Sequence, residues 1–464
     1  MDPNQGFDPN RTVIGNPDPN RTQAIGAPPV GGDPNRTQAI NVTGTPAVPM
    51  AITVTPSRMA TMANGPAREQ FLLEIQTPSE PGLPGVAASG GPRTPLNLCL
   101  LIDRSGSMEG MPLEYAKQAC NYVVDLLSPN DVLSIVVFDE TVEVLMAPQR
   151  VTDRQAIKNG IAQIAAGYTT NLYDGMVLAA QQLGFQSEAG RATRMVVLTD
   201  GEPTAGIKDF AALVQHAGDI KGRGMSCTFL GFGSEYNEEL LASMAKRAGG
   251  NYYYIPEPQL IPEIFRTELE KLLTVSTTNL ELELKLARWV SLKGATGHTV
   301  SPGEREIHLD LADLERGTTM QVVVDLEFPN HPLGHYRVAG GRLTYKDLNG
   351  AQEVVNVDLV MEFTADESKF SAPANPVVTA AAQVSAASRT VERTIMGLKT
   401  QQITTAAAIA DLQKTQALLL QDGRVQEARE VTMAMQAIQS GNVGGAEKTL
   451  MGTMVQLDQG KRSP

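Results

Sequence analysis

The sequence predicts an α/β protein with a doubly wound, mostly parallel sheet, combined with an antiparallel β-sandwich and a C-terminal helical region. Short apolar strands alternate with amphipathic helices between residues 96 and 273, which is typical of a parallel sheet covered by helices. From residue 280 to 363 apolar and polar residues alternate, as in antiparallel strands with one buried face. A chain of 464 residues is also too long for one ordinary domain, so several are expected.

Composition limits the class of function. The chain is 42% apolar and 19% charged, which is typical of a globular protein with a sizeable core. Its formal charge of -13 argues against a nucleic-acid binder, which would show a basic face. We find no N-terminal signal pattern and no apolar run of membrane-spanning length, so a cytoplasmic location without membrane insertion is expected. Cys99, Cys120 and Cys227 lie in apolar segments, which favours buried thiols.

Residues 1–49 are predicted to form a disordered tail that carries a short repeat. The pentapeptide DPNRT occurs three times and ends each time on a threonine, at Thr12, Thr22 and Thr37. Such threonines resemble kinase targets read by forkhead-associated domains, which recognise a phosphothreonine together with the residue three positions on, here Ile25 and Ile40. Thr12 departs from this pattern, with Gly15 at that place. The resemblance implies a Ser/Thr kinase and a forkhead-associated domain protein as partners. A duplicated spacer is the alternative interpretation.

The remaining chain is divided by changes of pattern. Residues 50–95 hold strand-like segments and a Pro/Gly/Ser-rich linker, and these strands are too few to fold alone. We predict that they pair with the β-sandwich of residues 274–365, so that the α/β domain of residues 96–273 is inserted into it. Residues 366–464 are rich in Ala, Gln, Leu and Met and are predicted to be helical, packing on the sandwich or on another subunit.

Oxygen-bearing side chains follow the predicted strands of the α/β domain. Asp103, Ser105 and Ser107 come directly after the apolar strand that begins at Leu96, and Asp200 follows a second such strand. Thr170 precedes a predicted helix, with Thr169 as its competitor. Ligand sites of open α/β sheets lie at the carboxyl ends of the strands, so these segments are expected to meet. Carboxylates and hydroxyls suit Mg²⁺, Mn²⁺ or Ca²⁺ rather than Zn²⁺, and Mg²⁺ is favoured.

The three segments DRSGS, TTNLYDG and LTDGE, in this order, resemble the metal-ion-dependent adhesion site of the von Willebrand factor A (VWA) domain. The resemblance covers residues 96 to about 273. It implies that Ser105, Ser107 and Thr170 are direct metal ligands and that one or both of Asp103 and Asp200 are reached through water. It also implies a non-enzymatic interaction module in which the metal accepts an acidic residue from a partner protein. The whole arrangement resembles bacterial VWA proteins labelled calcium-activated chloride channel homologues.

Several alternatives compete with this interpretation. Taken singly, Asp103 and Ser107 could cap a helix, and Asp200-Gly201 could form a turn. An adaptor subunit for an AAA+ ATPase of the MoxR or chelatase type is a second binding function. A metal-dependent hydrolase is the enzymatic alternative, but the histidines lie far from the three segments in sequence and no nucleotide-binding glycine motif is present. We therefore expect a non-enzyme.

Overall fold

A computed structural model describes residues 50–77, 94–186, 190–298, 300–301, 303–347 and 350–462. The tail with its DPNRT repeats and the threonines Thr12, Thr22 and Thr37 lies outside the described residues. The first strands of the described chain are β1 (Ala51–Pro56), β2 (Ala60–Met62) and β3 (Ala67–Gln76).

The α/β domain is built on a sheet with the strand order β6-β5-β4-β7-β8-β9, in which only β6 is antiparallel to its neighbour. Its strands are β4 (Leu96–Asp103), β5 (Val132–Phe138), β6 (Val142–Arg150), β7 (Ala192–Thr199), β8 (Met225–Phe232) and β9 (Gly249–Ile255). Its helices are α1 (Met111–Leu126), α2 (Arg154–Ala162), α3 (Leu172–Gly184), α4 (Phe210–Gly222), α5 (Glu238–Ala248) and α6 (Ile261–Thr274).

Helices cover both faces of this sheet. Cys99 and Leu101 of β4 pack with α3, α4 and α5, whereas Leu98 and Leu100 pack with α1, α2 and α6. Every residue of β4 is buried, because alternate side chains of a strand point to opposite faces and both faces are covered here. The predicted fold class is confirmed.

Two further sheets pack face to face as a sandwich. Their remaining strands are β10 (Val275–Leu286), β11 (Ser291–Ala295), β12 (Glu306–Asp310), β13 (Leu314–Glu315), β14 (Thr319–Phe328), β15 (Gly334–Lys346) and β16 (Gln352–Thr364). One sheet has the order β1-β3-β14-β11, and the other has the order β12-β10-β15-β16-β2, with β13 beside β10. Strand β3, which precedes the α/β domain, pairs with β14 from Ala67 opposite Phe328 to Gln76 opposite Thr319. The pairing is antiparallel except that β2 runs parallel to β16.

The C-terminal helices pack on both other parts of the chain. They are α7 (Glu367–Phe370), α8 (Pro376–Lys399), α9 (Thr405–Gln421), α10 (Val425–Gln439) and α11 (Val443–Asp458), and the short strand β17 (Lys461–Arg462) follows them. Val378 of α8 packs on Leu72 of the sandwich. Lys448 of α11 donates to the Tyr236 carbonyl at 2.8 Å and lies over the Tyr236 ring. Strand β17 pairs with β14, so the end of the described chain joins the sandwich.

Predictions from the sequence also concern the cysteines and membrane-spanning segments. Cys99, Cys120 and Cys227 are buried free thiols, as predicted. Among the helices of the described residues, none combines the length and the hydropathy that a bilayer crossing requires.

A buried acid joins the α/β domain to the sandwich. Asp313 forms an ion pair with Arg194 of β7 and lies 3.9 Å from the ammonium of Lys221. It also accepts hydrogen bonds from the Asn279 N–H at 2.9 Å and from the Ser226 hydroxyl at 3.2 Å. Burial would raise the pKa of Asp313, but the charges of Arg194 and Lys221 outweigh burial and hold this pKa below its usual value.

We predict that Asp313→Asn lowers the free energy of unfolding at neutral pH by about 3–5 kcal/mol, because the buried Arg194 loses its counter-charge. The folded pKa of Asp313 lies below the unfolded value of about 3.9, so the stabilisation is complete above that pH and is lost as the pH falls through the folded pKa. Denaturant unfolding at several pH values measures both effects.

The matched control is Asp358→Asn, because Asp358 pairs with Arg337 on the surface, where such a pair contributes about 1 kcal/mol or less. Equal losses in the two variants would contradict the prediction. The free energies of unfolding of Asp313→Asn and of the native chain should also become more similar as the pH falls. If their difference stays constant in acid, the prediction is contradicted as well.

Candidate metal centre

The first segment of the site begins where β4 ends. Asp103 is fully buried, and both of its carboxylate oxygens have partners: Oδ1 accepts from the Ser105 N–H at 2.8 Å and Oδ2 from the Thr199 hydroxyl at 2.6 Å. Thr199 is the last residue of the neighbouring strand β7. The Asp103 side chain is therefore held in place by its own loop and by the adjacent strand.

The first and third segments meet through hydroxyl groups. The Ser107 hydroxyl donates to Asp200 Oδ1 at 2.8 Å, and the Ser105 hydroxyl lies 3.1 Å from Ser107 Oγ and 3.5 Å from the same Asp200 oxygen. Ser105 and Asp200 are buried, whereas Ser107 is exposed. The group of oxygens is thus anchored in the sheet and open to solvent at Ser107.

Thr170 lies beside the third segment. Its N–H donates to the Thr204 hydroxyl at 2.9 Å, and its carbonyl accepts from the Thr204 and Ala205 N–H groups at 3.0 and 3.2 Å. A Cβ placed on Gly201 would stand 3.4 Å from the Thr170 hydroxyl oxygen, so this oxygen is close to the residue that follows Asp200. The Thr169 N–H is directed toward Glu140 at 3.4 Å, and the Thr169 hydroxyl is buried without a hydrogen-bond partner among the described residues, so Thr169 stays the competitor of Thr170.

An ion pair outside the predicted set joins the first segment to the residue that follows β5, close to the start of the second segment. Arg104 Nε donates to Asp139 Oδ2 at 3.0 Å, and the Arg104 carbonyl accepts from the Gly167 N–H at 2.6 Å. Gly167 passes so close to Asp139 that an added Cβ would lie 1.9 Å from Asp139 Oδ2. Burial would raise the pKa of Asp139, but hydrogen bonds from Thr141 and the Arg104 guanidinium lower it, so this carboxylate is charged.

The sequence alone did not indicate the contacts among Arg104, Asp139 and Gly167, nor the hydrogen bonds of Thr199 and Thr204. Asp139 could have been noticed in the sequence, because it directly follows the apolar strand β5, just as Asp103 stands at the end of the apolar strand β4. No comparable signal marks Gly167, whose importance depends on a contact between segments that are distant in sequence.

The electrostatics favour a cation. Burial raises the pKa of Asp103 to about 7, against the hydrogen bonds from Thr199 and Ser105 that lower it, and burial also raises the pKa of Asp200. The nearby guanidinium of Arg104 is already engaged by Asp139 and, at 3.3 Å, by Glu143. Two buried carboxyl groups therefore lie beside hydroxyls where a positive charge would stabilise their ionised forms.

The donor set fits a hard divalent cation. Asp103, Ser105, Ser107, Thr170 and Asp200 offer oxygens only, and carboxylate and hydroxyl oxygens suit Mg²⁺, Mn²⁺ or Ca²⁺. Within the part of the chain that the structure describes, no cluster of three or more His, Cys, Asp or Glu side chains is arranged for metal binding. The candidate centre thus depends on hydroxyls as well as on its two carboxylates.

Comparison with known proteins agrees with the fold. Residues 97–267 match the model of the von Willebrand factor type A domain, and the chain contains such a domain. Domains of this family are in general protein-interaction modules and typically bind a divalent metal.

Curated relatives match mainly this part of the chain. The uncharacterized protein sll0103 of Synechocystis sp. is 35% identical over 196 residues, which cover 42% of this chain and 46% of the relative. Inter-alpha-trypsin inhibitor heavy chain H1 of Bos taurus is 30% identical over 173 residues, which cover 35% of this chain and 19% of the relative. The matched segment therefore spans less than half of the length of either relative.

Solved structures extend the likeness to most of the fold. A von Willebrand factor type A protein from Catenulispora acidiphila has a TM-score of 0.64 at 15% identity, covering 82% of this chain and 88% of its own. The ArnB paralog VWA2 from Sulfolobus acidocaldarius has a TM-score of 0.59 at 17% identity, covering 88% and 98%. At these identities the likeness concerns the fold alone.

We predict that Gly167→Ala lowers the free energy of unfolding by about 1–3 kcal/mol, because the new methyl group displaces Asp139 or moves the second segment away from Arg104. The control is Gly160→Ala in α2, where an added Cβ meets nothing within 4 Å. Alanine there is expected to stabilise by up to about 1 kcal/mol. Equal free energies of unfolding of the two variants, measured with denaturant, would contradict the close contact of Gly167 with Asp139.

Proposed function

We propose that this protein is a non-enzymatic interaction module that binds a partner protein through a divalent metal, Mg²⁺ in the first place, at the site formed by Asp103, Ser105, Ser107, Thr170 and Asp200. The observation that carries the proposal is the meeting of Ser107 and Asp200 at 2.8 Å, beside a buried Asp103, at the open edge of the sheet. The serines and Thr170 are the expected direct ligands, with Asp103 and Asp200 reached through water.

The partner chemistry follows from the donor set. A dication held by two carboxylates and neutral hydroxyls keeps exchangeable water and can accept a further carboxylate. The engagement of both Asp103 oxygens by Ser105 and Thr199 supports a role through water for this residue. We therefore propose that the partner contributes an aspartate or glutamate side chain to the metal.

The chemistry of the loops favours binding over catalysis. The five histidines of the chain are His216, His298, His308, His331 and His335. All five lie outside the three site segments: His216 is in α4, His298 follows β11, His308 is in β12, His331 precedes β15 and His335 is in β15. Hydrolysis would need a general acid or base near the metal, and the two carboxylates of the predicted metal set, Asp103 and Asp200, are already committed to Ser105, Ser107 and Thr199.

We further propose that Thr12, Thr22 and Thr37 of the tail are phosphorylated by a Ser/Thr kinase and that forkhead-associated domains read them. Support comes from the repetition of DPNRT and from the isoleucine three positions after Thr22 and Thr37. The cytoplasmic location expected from the sequence stays a prediction.

Calorimetry with the full chain is expected to detect uptake of one Mg²⁺, Mn²⁺ or Ca²⁺ ion. Asp103→Ala is expected to abolish it, and Ser107→Ala to weaken it at least about tenfold. Ser234→Ala is the matched control, because Ser234 lies beyond the end of β8 and its hydroxyl donates to Glu235 at 2.9 Å. No uptake by the native chain would remove the proposal.

Affinity capture from the native host then tests the partner. We expect at least one captured protein to be absent when EDTA is added and also when Asp103→Ala is used as bait, because both changes remove the metal. Capture that is unchanged by either treatment would contradict a metal-bridged contact. Turnover of a generic phosphoester that disappears with Asp103→Ala would instead favour the hydrolase alternative.

Phosphopeptide mass spectrometry of the native protein is expected to find phosphate on Thr12, Thr22 or Thr37 while the Ser/Thr kinases of the host are active. A charge of about -1.5 to -2 is added at each site. Finding all three threonines unmodified under those conditions would remove this part of the proposal.

A further inference from the structure

The rim of the candidate metal centre is apolar as well as acidic. Met111, Tyr168, Ile207 and Phe210 are exposed and lie within eight residues of the three site segments in sequence, with Tyr168 82% exposed. The segments are in direct contact, because the Gly106 N–H donates to the Tyr168 carbonyl at 3.2 Å. Exposed aromatic and aliphatic side chains grouped around one site are typical of a binding surface.

The charged residues of the rim restrict what can bind there. Glu109, Glu140 and Glu202 are exposed in or beside the site segments, and Lys208 is an exposed base six residues after the third segment. A strongly acidic ligand would be repelled by this surface even with a metal bound. The surface is instead complementary to a segment with one carboxylate for the metal, a base for the acidic rim and an apolar side chain for Tyr168 or Phe210.

The tail of this chain has this composition in two of its three DPNRT repeats, whereas the copy at Asp8 has Gly15 in place of the isoleucine. Asp33 is followed three residues later by Arg36 and seven residues later by Ile40, and the copy at Asp18 is arranged in the same way. The only acids of residues 1–49 are Asp2, Asp8, Asp18 and Asp33, so no second acid lies near any of these carboxylates. The repeats that begin at Asp18 and Asp33 therefore match the metal, the acidic rim and the apolar rim together.

The length of the tail is sufficient to reach the site. Met50 lies at the end of the sandwich that meets the amino edge of the parallel sheet. Ala51 pairs with Gln76, which pairs with Thr319, and Asp313, six residues before Thr319, forms the ion pair with Arg194 near the amino end of β7. The site is at the opposite edge, and the eight residues of β4 span about 26 Å between the two edges. The seventeen residue steps from Asp33 to Met50 reach up to about 56 Å when extended.

We propose that the DPNRT repeats of the tail are ligands of the metal site on the same chain, with the repeat aspartate bound to the metal, the arginine at the acidic rim and the following isoleucine against the apolar rim. The inference depends on the metal binding proposed above. A single carboxylate binds such a site weakly, but tethering supplies it at an effective concentration of about a millimolar, and several copies add to the occupancy. An outside partner must then displace the tail.

The test uses a labelled peptide of residues 31–41, GGDPNRTQAIN, and a full chain that carries Asp2→Asn, Asp8→Asn, Asp18→Asn and Asp33→Asn. In excess Mg²⁺ this chain is expected to bind the peptide in fluorescence polarisation. EDTA, or asparagine at the aspartate of the peptide, is expected to abolish binding. The native chain is expected to bind the peptide about tenfold more weakly, because its own repeats compete.

A second arm tests the apolar rim. Phe210→Ser, made in the chain with the four asparagines, is expected to weaken peptide binding about threefold to tenfold and to leave Mg²⁺ uptake unchanged. Leu333→Ser is the matched control, because Leu333 is also exposed but lies in the sandwich, between β14 and β15. Equal effects of the two substitutions would overturn the assigned role of the rim.

Three outcomes would overturn the proposal while the metal site itself stands. Calorimetry could find Mg²⁺ uptake without Mg²⁺-dependent binding of the peptide. The native chain and the variant with four asparagines could bind the peptide equally, which would show that the tethered repeats do not occupy the site. Mg²⁺-dependent dimers of the native chain in sedimentation, absent from the variant, would place the repeat on a second copy. Absence of Mg²⁺ uptake would instead remove the function on which the inference rests.

Discussion

The pairing of β3 with β14 is the contact on which the arrangement of the whole chain depends. These strands lie on either side of the α/β domain in sequence, and the Thr77 hydroxyl donates to the Glu315 carbonyl, 238 residues away. Closing so long a loop carries an entropic cost, but the cost grows only slowly with loop length, and the intervening residues are already ordered in their own sheet. Strand β14 also pairs with β17, so one strand connects the beginning, the middle and the end of the described chain.

This anchoring determines which edge of the α/β domain is free. Arg194 and Ser226, at the amino ends of β7 and β8, contact Asp313 of the sandwich. Lys448 of α11 contacts the side of the α/β domain: its ammonium donates to the Tyr236 carbonyl and forms an ion pair with Glu238 at 3.0 Å. The carboxyl edge, with Asp103 and Asp200, is thus directed away from the sandwich. A large partner of the kind proposed above needs this freedom, because a neighbouring domain at the same edge would exclude it.

The sequence was most informative where local pattern and burial coincide. The apolar run from Leu96 ends at a carboxylate because β4 is buried on both faces up to the edge of the sheet, and this pattern can be recognised without a structure. The residues that position the segments were harder to find, since the contact of Gly167 with Asp139 exists only after two loops have met. Strand β17 consists of Lys461 and Arg462 and has no apolar alternation, so nothing in its composition predicts that it pairs with β14.

The course of β4 has a mechanical consequence. This strand lies in the middle of the sheet, its amino end is near the sandwich, and its carboxyl end leads directly into the loop of Ser105 and Ser107. Tension between a molecule held at that loop and the rest of the chain is directed along the strand. Its ladders with β5 and β7 are both parallel, so they are loaded in shear and their hydrogen bonds share the force instead of opening one after another. A load applied at the carboxyl edge of the sheet would therefore be resisted by both ladders of β4 at once.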